Sequence, residues 1–240
     1  MKAKALVRSD SIRALRPALE IDFVADFTCP WSWLSKRRLE RALENVQGLG
    51  RPEVRWHAFL VAPPSGVGPA WRDRLAARLP EGLTVDEAEQ SLVDAGRELG
   101  IHFAFGSLGE VPGTSEAHRL VKLAAREGRH VEIADTLFSA WFEAGRDIGS
   151  RSVLATLGAE AELSAHTLDL FRSTEQGATE VARDDERLRA LGVVATPNLL
   201  LNGNVLVTGP ADIDTYLQAL DQALFPQLAD ADDGRVPTLH

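Results

Sequence analysis

Apolar and polar positions fall along this chain in blocks that outline its elements. Glu20 to Phe27 (EIDFVADF) is a short run of apolar and β-favouring residues that stops at Thr28-Cys29-Pro30, and it reads as a buried strand. From Trp31 to about Gln47, Leu39, Ala42, Leu43 and Val46 recur at helical spacing and stop before Gly48 and Gly50, which gives one face of a helix. Glu53 to Phe59 alternates, with Val54, Trp56 and Ala58 on one side and Arg55 and His57 on the other, and predicts a second strand. Leu60 to Pro69 carries Pro63, Pro64, Gly66, Gly68 and Pro69 and reads as a loop leaving the sheet.

The middle of the chain then changes period. Thr84 and Glu87 have the spacing of a capping box, Ser115 opens a segment closed by Gly128, and Val131 to Ala144 is closed by Gly145. Gly106 to Gly113 is a turn-rich connection. A second capping-box spacing, Ser173 to Gln176, predicts a helix ending at Leu191-Gly192. Val193 to Leu201 is strongly apolar around Pro197, Asn202-Gly203-Asn204 supplies positions for positive φ, and Val205 to Thr208 returns, which is a hairpin pattern. Pro210 to about Leu224 is a closing helix, and Ala229 to His240 is a solvated tail.

Composition narrows the function classes. The chain has 240 residues, enough for one compact unit with an insertion and a core that needs no disulfide staple. Lys and Arg number 26 against 35 Asp and Glu, a net charge of −9 that argues against nucleic acid or an anionic membrane as partner. One cysteine excludes an internal disulfide and a multi-cysteine metal site and fits a reducing compartment. Met1 to Glu20 is basic but has no apolar stretch longer than Ala5-Leu6-Val7, so no signal peptide is read, and no run approaches the roughly 20 apolar residues of a membrane span. A cytoplasmic location is expected.

A lone cysteine is more often a small buried hydrophobe than a catalyst. Here Cys29 directly follows a predicted strand and precedes Pro30, which suits the first helical position. Cys29 is then the helix N-cap, where free backbone N–H groups and the helix dipole favour thiolate. It is expected to be mainly thiolate at neutral pH, with Asp26 opposing and Lys36 and Arg37 helping only if the helix brings them round.

Cys29-Pro30-Trp31-Ser32 resembles the active-site tetrapeptide of thioredoxin-fold oxidoreductases. The longer stretch from Asp26 to Leu43 resembles the FrnE-like branch of the DsbA family, and so do Phe59 with its Pro-rich follow-on, Ala117-His118-Arg119-Leu120, Asp184-Asp185 and Gly192 to Pro197. The element order, strand, helix, strand, helical insertion, helix, strand, strand, helix, matches that resemblance. It implies an α/β thioredoxin-like fold, with the core at 20–69 and 184–228, an all-helical insertion at 70–183, an N-terminal extension at 1–19 and a flexible tail at 229–240. The pattern departs from the family at Ser32, where a second cysteine is usual. Ser32 either satisfies a backbone group or orients a bound thiol, as serine does in the related kappa-class glutathione transferases and 2-hydroxychromene-2-carboxylate isomerases. A serine exchanged for a natural second cysteine would read the same.

The resemblance assigns Cys29 and Ser32 as catalytic and Pro30, Trp31, His118, Thr196 and Pro197 as substrate-binding. It implies a cis Thr196–Pro197 peptide beside the sulfur, against the plainer reading of an edge-strand proline, and places His118 toward the cleft. Trp31 equally suits packing against the core. The remaining histidines lack metal spacing, and no metal is expected. The leading activity is thiol-disulfide oxidoreduction through a mixed disulfide with an external thiol, on a small-molecule or protein thiol or disulfide. Glutathione or another small thiol would serve as co-substrate, with no cofactor held tightly and room for a homodimer. The alternatives are a thiol-dependent isomerase or transferase on a small molecule, as in secondary metabolism, and a non-catalytic binding protein.

Overall fold

A computed structural model describes residues 19–47, 50–62 and 67–226. Most of the N-terminal extension and all of the tail at 229–240 lie outside the described residues. Strand β1 (Glu20–Ala25) runs parallel to β2 (Glu53–Ala58) on one side and antiparallel to β5 (Asn198–Leu201) on the other; β6 (Val205–Thr208) completes the order β2-β1-β5-β6. Alternation along β1 divides the two faces. Ile21, Phe23 and Ala25 enter the main core, whereas Val24 meets Phe59 and Leu188 on the other side. The β5–β6 hairpin turns on Asn202 and Gly203, both at positive φ, as the Asn-Gly pair demands.

Helix α1 (Pro30–Glu44) packs against α9 (Ile213–Leu224), which lies on β5 and β6. The insertion supplies α2 (Trp71–Ala76), α3 (Val85–Glu98), α4 (Ser115–Ala125), α5 (His130–Phe142), α6 (Arg151–Glu160) and α7 (Ala165–Ser173), and α8 (Ala178–Ala190) returns to β2 and α4. The thioredoxin-like α/β architecture with an inserted helical segment is therefore present. Thr84 makes both halves of its capping box with Glu87, a device worth about 1 kcal/mol.

Three expectations need correction. The insertion is not all helical, because β3 (Val67–Ala70) pairs antiparallel with β4 (Glu110–Pro112), inside the stretch read as plain turns. Strands of three and four residues containing Gly68, Pro69 and Pro112 carry no period; Gly68 is needed because a Cβ there would meet the Val111 carbonyl oxygen at 2.9 Å. Ser173 does not start a helix. It ends α7, its hydroxyl donates to the Asp169 carbonyl, and α8 begins after Gly177 at φ 93°. The buried Arg119 guanidinium explains the break: it donates to the carbonyls of Phe171, Thr174 and Gln176 and so gathers the chain end of α7. Finally, the division drawn between 183 and 184 falls within α8, a single helix.

The same helix protects the sheet edge. Among the described residues β2 has no strand outside it, and Asp184 and Asp185 accept from the backbone N–H groups of Ala58 (3.1 Å) and Leu60 (2.8 Å). That leaves fewer free donors to recruit another chain. Asp184 also bonds Lys122 and lies 3.6 Å from His57. Burial raises its pKa, but bonds from His57 and Lys122 outweigh this and hold it at about 2. Among the described residues no helix is long and apolar enough to cross a membrane.

An aromatic cluster joins sheet, α1 and insertion. Phe138 of α5 lies 5.0 Å from Phe27 and 5.8 Å from Trp33, and Phe27 stacks on Trp56 at 5.3 Å between ring centroids. Phe138 is fully buried. Phe138→Ala is expected to cost about 3–5 kcal/mol in urea unfolding, and Phe138→Leu markedly less; equal costs would mean that filled volume contributes nothing and the ring contacts carry the whole effect.

Candidate functional site

The site begins where β1 runs out. Asp26 turns its carboxylate back on the chain, with Oδ1 accepting from the Thr28 N–H (2.7 Å) and hydroxyl (2.5 Å), and the Cys29 N–H closes the turn on the Asp26 carbonyl at 3.1 Å. Cys29 is the N-cap of α1, with extended backbone (φ −102°, ψ 109°) and Pro30 as the first helical residue. Its thiol donates to the Thr196 carbonyl oxygen at 3.5 Å, and the Thr196–Pro197 peptide is cis. The Ser32 and Thr196 hydroxyls both favour the sulfur's anionic form, and neither has another hydrogen-bond partner among the described residues.

Cys29, Pro30 and Ser32 are thus brought together with Thr196 and Pro197 from two segments of the chain. Trp31 is half-buried and packs against the core edge. His118 is corrected: it is fully buried rather than facing a cleft, with Nδ1 accepting from the Trp56 indole N–H (3.4 Å) and its ring 4.7 Å from Phe27. Helix α4 is buried on every side from Ala117 through Val121, and position 118 lies in that run.

The thiolate expectation is also corrected. Cys29 is only 5% exposed, and burial pushes its thiol above the ordinary value, against the Ser32 and Thr196 hydroxyls and the Ser32 N–H that favour thiolate, while the Asp26 charge adds to the rise. Sequence shows the helix terminus but not the depth of the sulfur. The reduced site therefore rests as a thiol.

Two further groups complete the surroundings. Asp26 Oδ2 accepts from the Val61 N–H (3.0 Å) and the Thr114 hydroxyl (2.8 Å), so four donors from three regions converge on one fully buried carboxylate. Arg74 of α2 is 8% exposed and electrostatically coupled to Asp26 and Cys29. Neither Thr114 nor Arg74 is foreseen from sequence. The available signal for Arg74 was its place, with Trp71 and Leu75, on the buried face of α2, where a charged residue is out of pattern. Among the described residues no group of three or more His, Cys, Asp or Glu is placed to hold a metal ion.

The model of the DSBA-like thioredoxin domain matches residues 20–221. The chain belongs to this family. A probable DsbA oxidoreductase of Streptomyces coelicolor superposes with a TM-score of 0.74 at 23% identity, covering 92% of this chain and 94% of the other. The cytosolic disulfide reductase DsbM of Pseudomonas aeruginosa, solved with GSH, gives 0.56 at 20% identity, covering 88% and 99%. A 2-hydroxychromene-2-carboxylate isomerase gives 0.62 at 16%, covering 89% and 100%. No match was found among curated proteins. At these identities the likenesses establish the fold, and the chemistry of this DsbA-like domain has to come from its own residues.

Two measurements follow from the electrostatics. Because burial raises the Cys29 thiol, its alkylation by iodoacetamide should be slower at pH 7 than that of a free cysteine and rise through a midpoint above about 8.5; a midpoint near or below 7 contradicts the burial argument. His118 is held at about 4 by burial, from an ordinary 6.5, so the unfolded chain binds a proton in that window that the folded chain refuses. The His118 contribution to stability is complete above pH 6.5 and falls toward pH 4, by up to about 3 kcal/mol. In His118→Gln, which keeps an acceptor for Trp56, that part of the slope should vanish; an unchanged slope would assign the acid sensitivity elsewhere.

Proposed function

We propose that this DsbA-like protein is a single-thiol thiol-disulfide oxidoreductase that works in the reducing direction. The observation that carries the reading is the arrangement at Cys29: a helix N-cap sulfur bonded to the Thr196 carbonyl, with the otherwise unpartnered Ser32 and Thr196 hydroxyls favouring its anion. When the thiol loses its proton to solvent, those hydroxyls and the Ser32 N–H meet the charge. The Cys29 thiolate then attacks one sulfur of an external disulfide, forming Cys29–S–S–R and releasing the other half as a thiolate. A second small thiol such as glutathione attacks the R sulfur, yielding a new external disulfide and returning the Cys29 thiolate. No second protein cysteine is needed for this balance, and none exists.

The raised thiol favours the attacking step, while an excess of the small external thiol drives the release of Cys29 and with it the net direction. Nucleophilicity rises with thiol pKa, whereas leaving-group ability falls, so Cys29 is a good attacking sulfur once deprotonated and a reluctant leaving one. A strong oxidant of this fold requires the opposite, a stabilised thiolate. Disulfide reduction by DsbM, a structural neighbour, is in keeping with this direction.

Ser32 supports a second reading. Its fully buried, unpartnered hydroxyl is available to donate to the thiolate of a bound small thiol, as a thiol-dependent isomerase or transferase requires, and an isomerase is among the structural neighbours. The two readings separate on two substitutions. Mass spectrometry after exposure to 2-hydroxyethyl disulfide should show one half-disulfide adduct on the wild type, removable by glutathione, and none on Cys29→Ser. Ser32→Ala should retain the adduct but form it several-fold more slowly, through loss of one hydrogen bond to the developing thiolate. A glutathione-dependent conversion that survives Cys29→Ser and is lost in Ser32→Ala would replace the first reading with the second.

A further inference from the structure

Arg74 is a cation with no assigned anion. It lies on α2, between Trp71 and Leu75 on the face turned into the protein, and is 8% exposed. It forms no hydrogen bond or ion pair with any described residue, and its Nη2 is buried without a partner. A buried guanidinium in this state is costly, because charge removed from water is ordinarily compensated by a paired anion or by acceptors. Asp26 and, more weakly, Cys29 favour its charge, but neither is hydrogen-bonded to it. Asp26 already accepts four hydrogen bonds, from Thr28 twice, Val61 and Thr114, and the Cys29 sulfur is engaged with the Thr196 carbonyl.

The missing acceptor can be supplied from outside at the moment of reaction. Whatever disulfide or thiol reaches the Cys29 sulfur comes within the field of Arg74, whose charge is coupled to that sulfur. Guanidinium is the side chain best suited to a carboxylate, through two parallel N–H···O bonds. Its burial makes such a bond stronger than an exposed pair would be. From this placement we infer that Arg74 selects carboxylate-bearing thiols and disulfides as the external partners of Cys29. The inference rests on the exchange chemistry proposed above and specifies its substrate class. The electron flow is unchanged: Arg74 binds the carboxylate, and bonds form and break only at sulfur.

A positive charge beside a thiolate also promotes ionisation, which would speed reaction with every disulfide alike. The experiment therefore reads a ratio. Rates of adduct formation on Cys29 are measured by mass spectrometry with three disulfides of similar size: 3,3′-dithiodipropionate (anionic), 2-hydroxyethyl disulfide (neutral) and cystamine (cationic). The wild type should favour the anionic over the neutral probe by about tenfold or more, the scale of one charge-assisted hydrogen bond. Cystamine should be slowest, and the preference should shrink as salt is raised. In Arg74→Gln the anionic-to-neutral ratio should collapse toward one whatever happens to the absolute rates, and Arg74→Lys should keep part of it. The wild-type series needs no variant to fold. A flat series in the wild type, or an anionic preference kept in Arg74→Gln, overturns the inference while leaving the exchange reading standing. No adduct from any of the three probes overturns both.

Discussion

The buried carboxylate of Asp26 is the contact on which the rest of the site depends. It sits where β1 ends, and its four donors come from the turn that leads to Cys29, from the segment that follows β2 and from Thr114, the residue before α4. A carboxylate this deep survives only with its lone pairs occupied. The bonds are therefore reciprocal: they make the acid tolerable, and the acid fixes three otherwise separate stretches of backbone. Thr28, held by two of them, sets the direction in which Cys29 leaves the sheet. Because Thr114 belongs to the insertion, the insertion cannot shift on the core without leaving an acceptor short. The aromatic stack from Trp56 through Phe27 to Phe138 makes the same connection without polar groups.

At Cys29 two effects oppose each other, and depth decides between them. The helix N-terminus, the Ser32 and Thr196 hydroxyls and the Arg74 charge all favour thiolate, while desolvation and the Asp26 charge favour thiol. In an exposed N-cap the first group wins, which is why cysteines of this kind commonly titrate low. Here the sulfur is covered, and the cost of placing a charge under cover exceeds what a few hydrogen bonds return. The outcome separates two properties usually lumped together as reactivity, the fraction of thiolate and the nucleophilicity of each thiolate formed.

What could be read from sequence follows the range of the interactions involved. The strands at Glu20 and Glu53, the Cys29 N-cap, the Thr84 capping box and the Asn202-Gly203 turn are local, and local patterns disclosed them. The meeting of Thr196 with Cys29 spans 167 residues of chain, and only family resemblance brought it forward. The false helix start at Ser173 shows the limit of a four-residue motif: the spacing was right, but Arg119, some fifty residues earlier, claims the carbonyls that end the preceding helix. His118 failed for a related reason. A histidine in a family motif reads as chemistry, yet its neighbours Phe27 and Trp56, from β1's end and β2, enclose it as core. Ile21 and Phe23 could be placed by period alone, whereas the depth of a polar group depends on elements far away in the chain.

The insertion accordingly does more than shelter the sheet. Removed in thought, the core would keep the strand, the N-cap cysteine and the Thr196 carbonyl, since all three lie outside residues 70–183. It would lose Thr114, one of the four donors to Asp26, and Arg74, the buried cation coupled to the sulfur. Those two contributions differ in kind. Thr114 neutralises an existing need, so its presence is explained by stability alone. Arg74 creates a need, since desolvating its guanidinium lowers stability and the Asp26 charge offsets this only in part, without a hydrogen bond. Stability alone thus accounts for Thr114 and not for Arg74, and the two groups that the insertion contributes around Asp26 answer to different constraints.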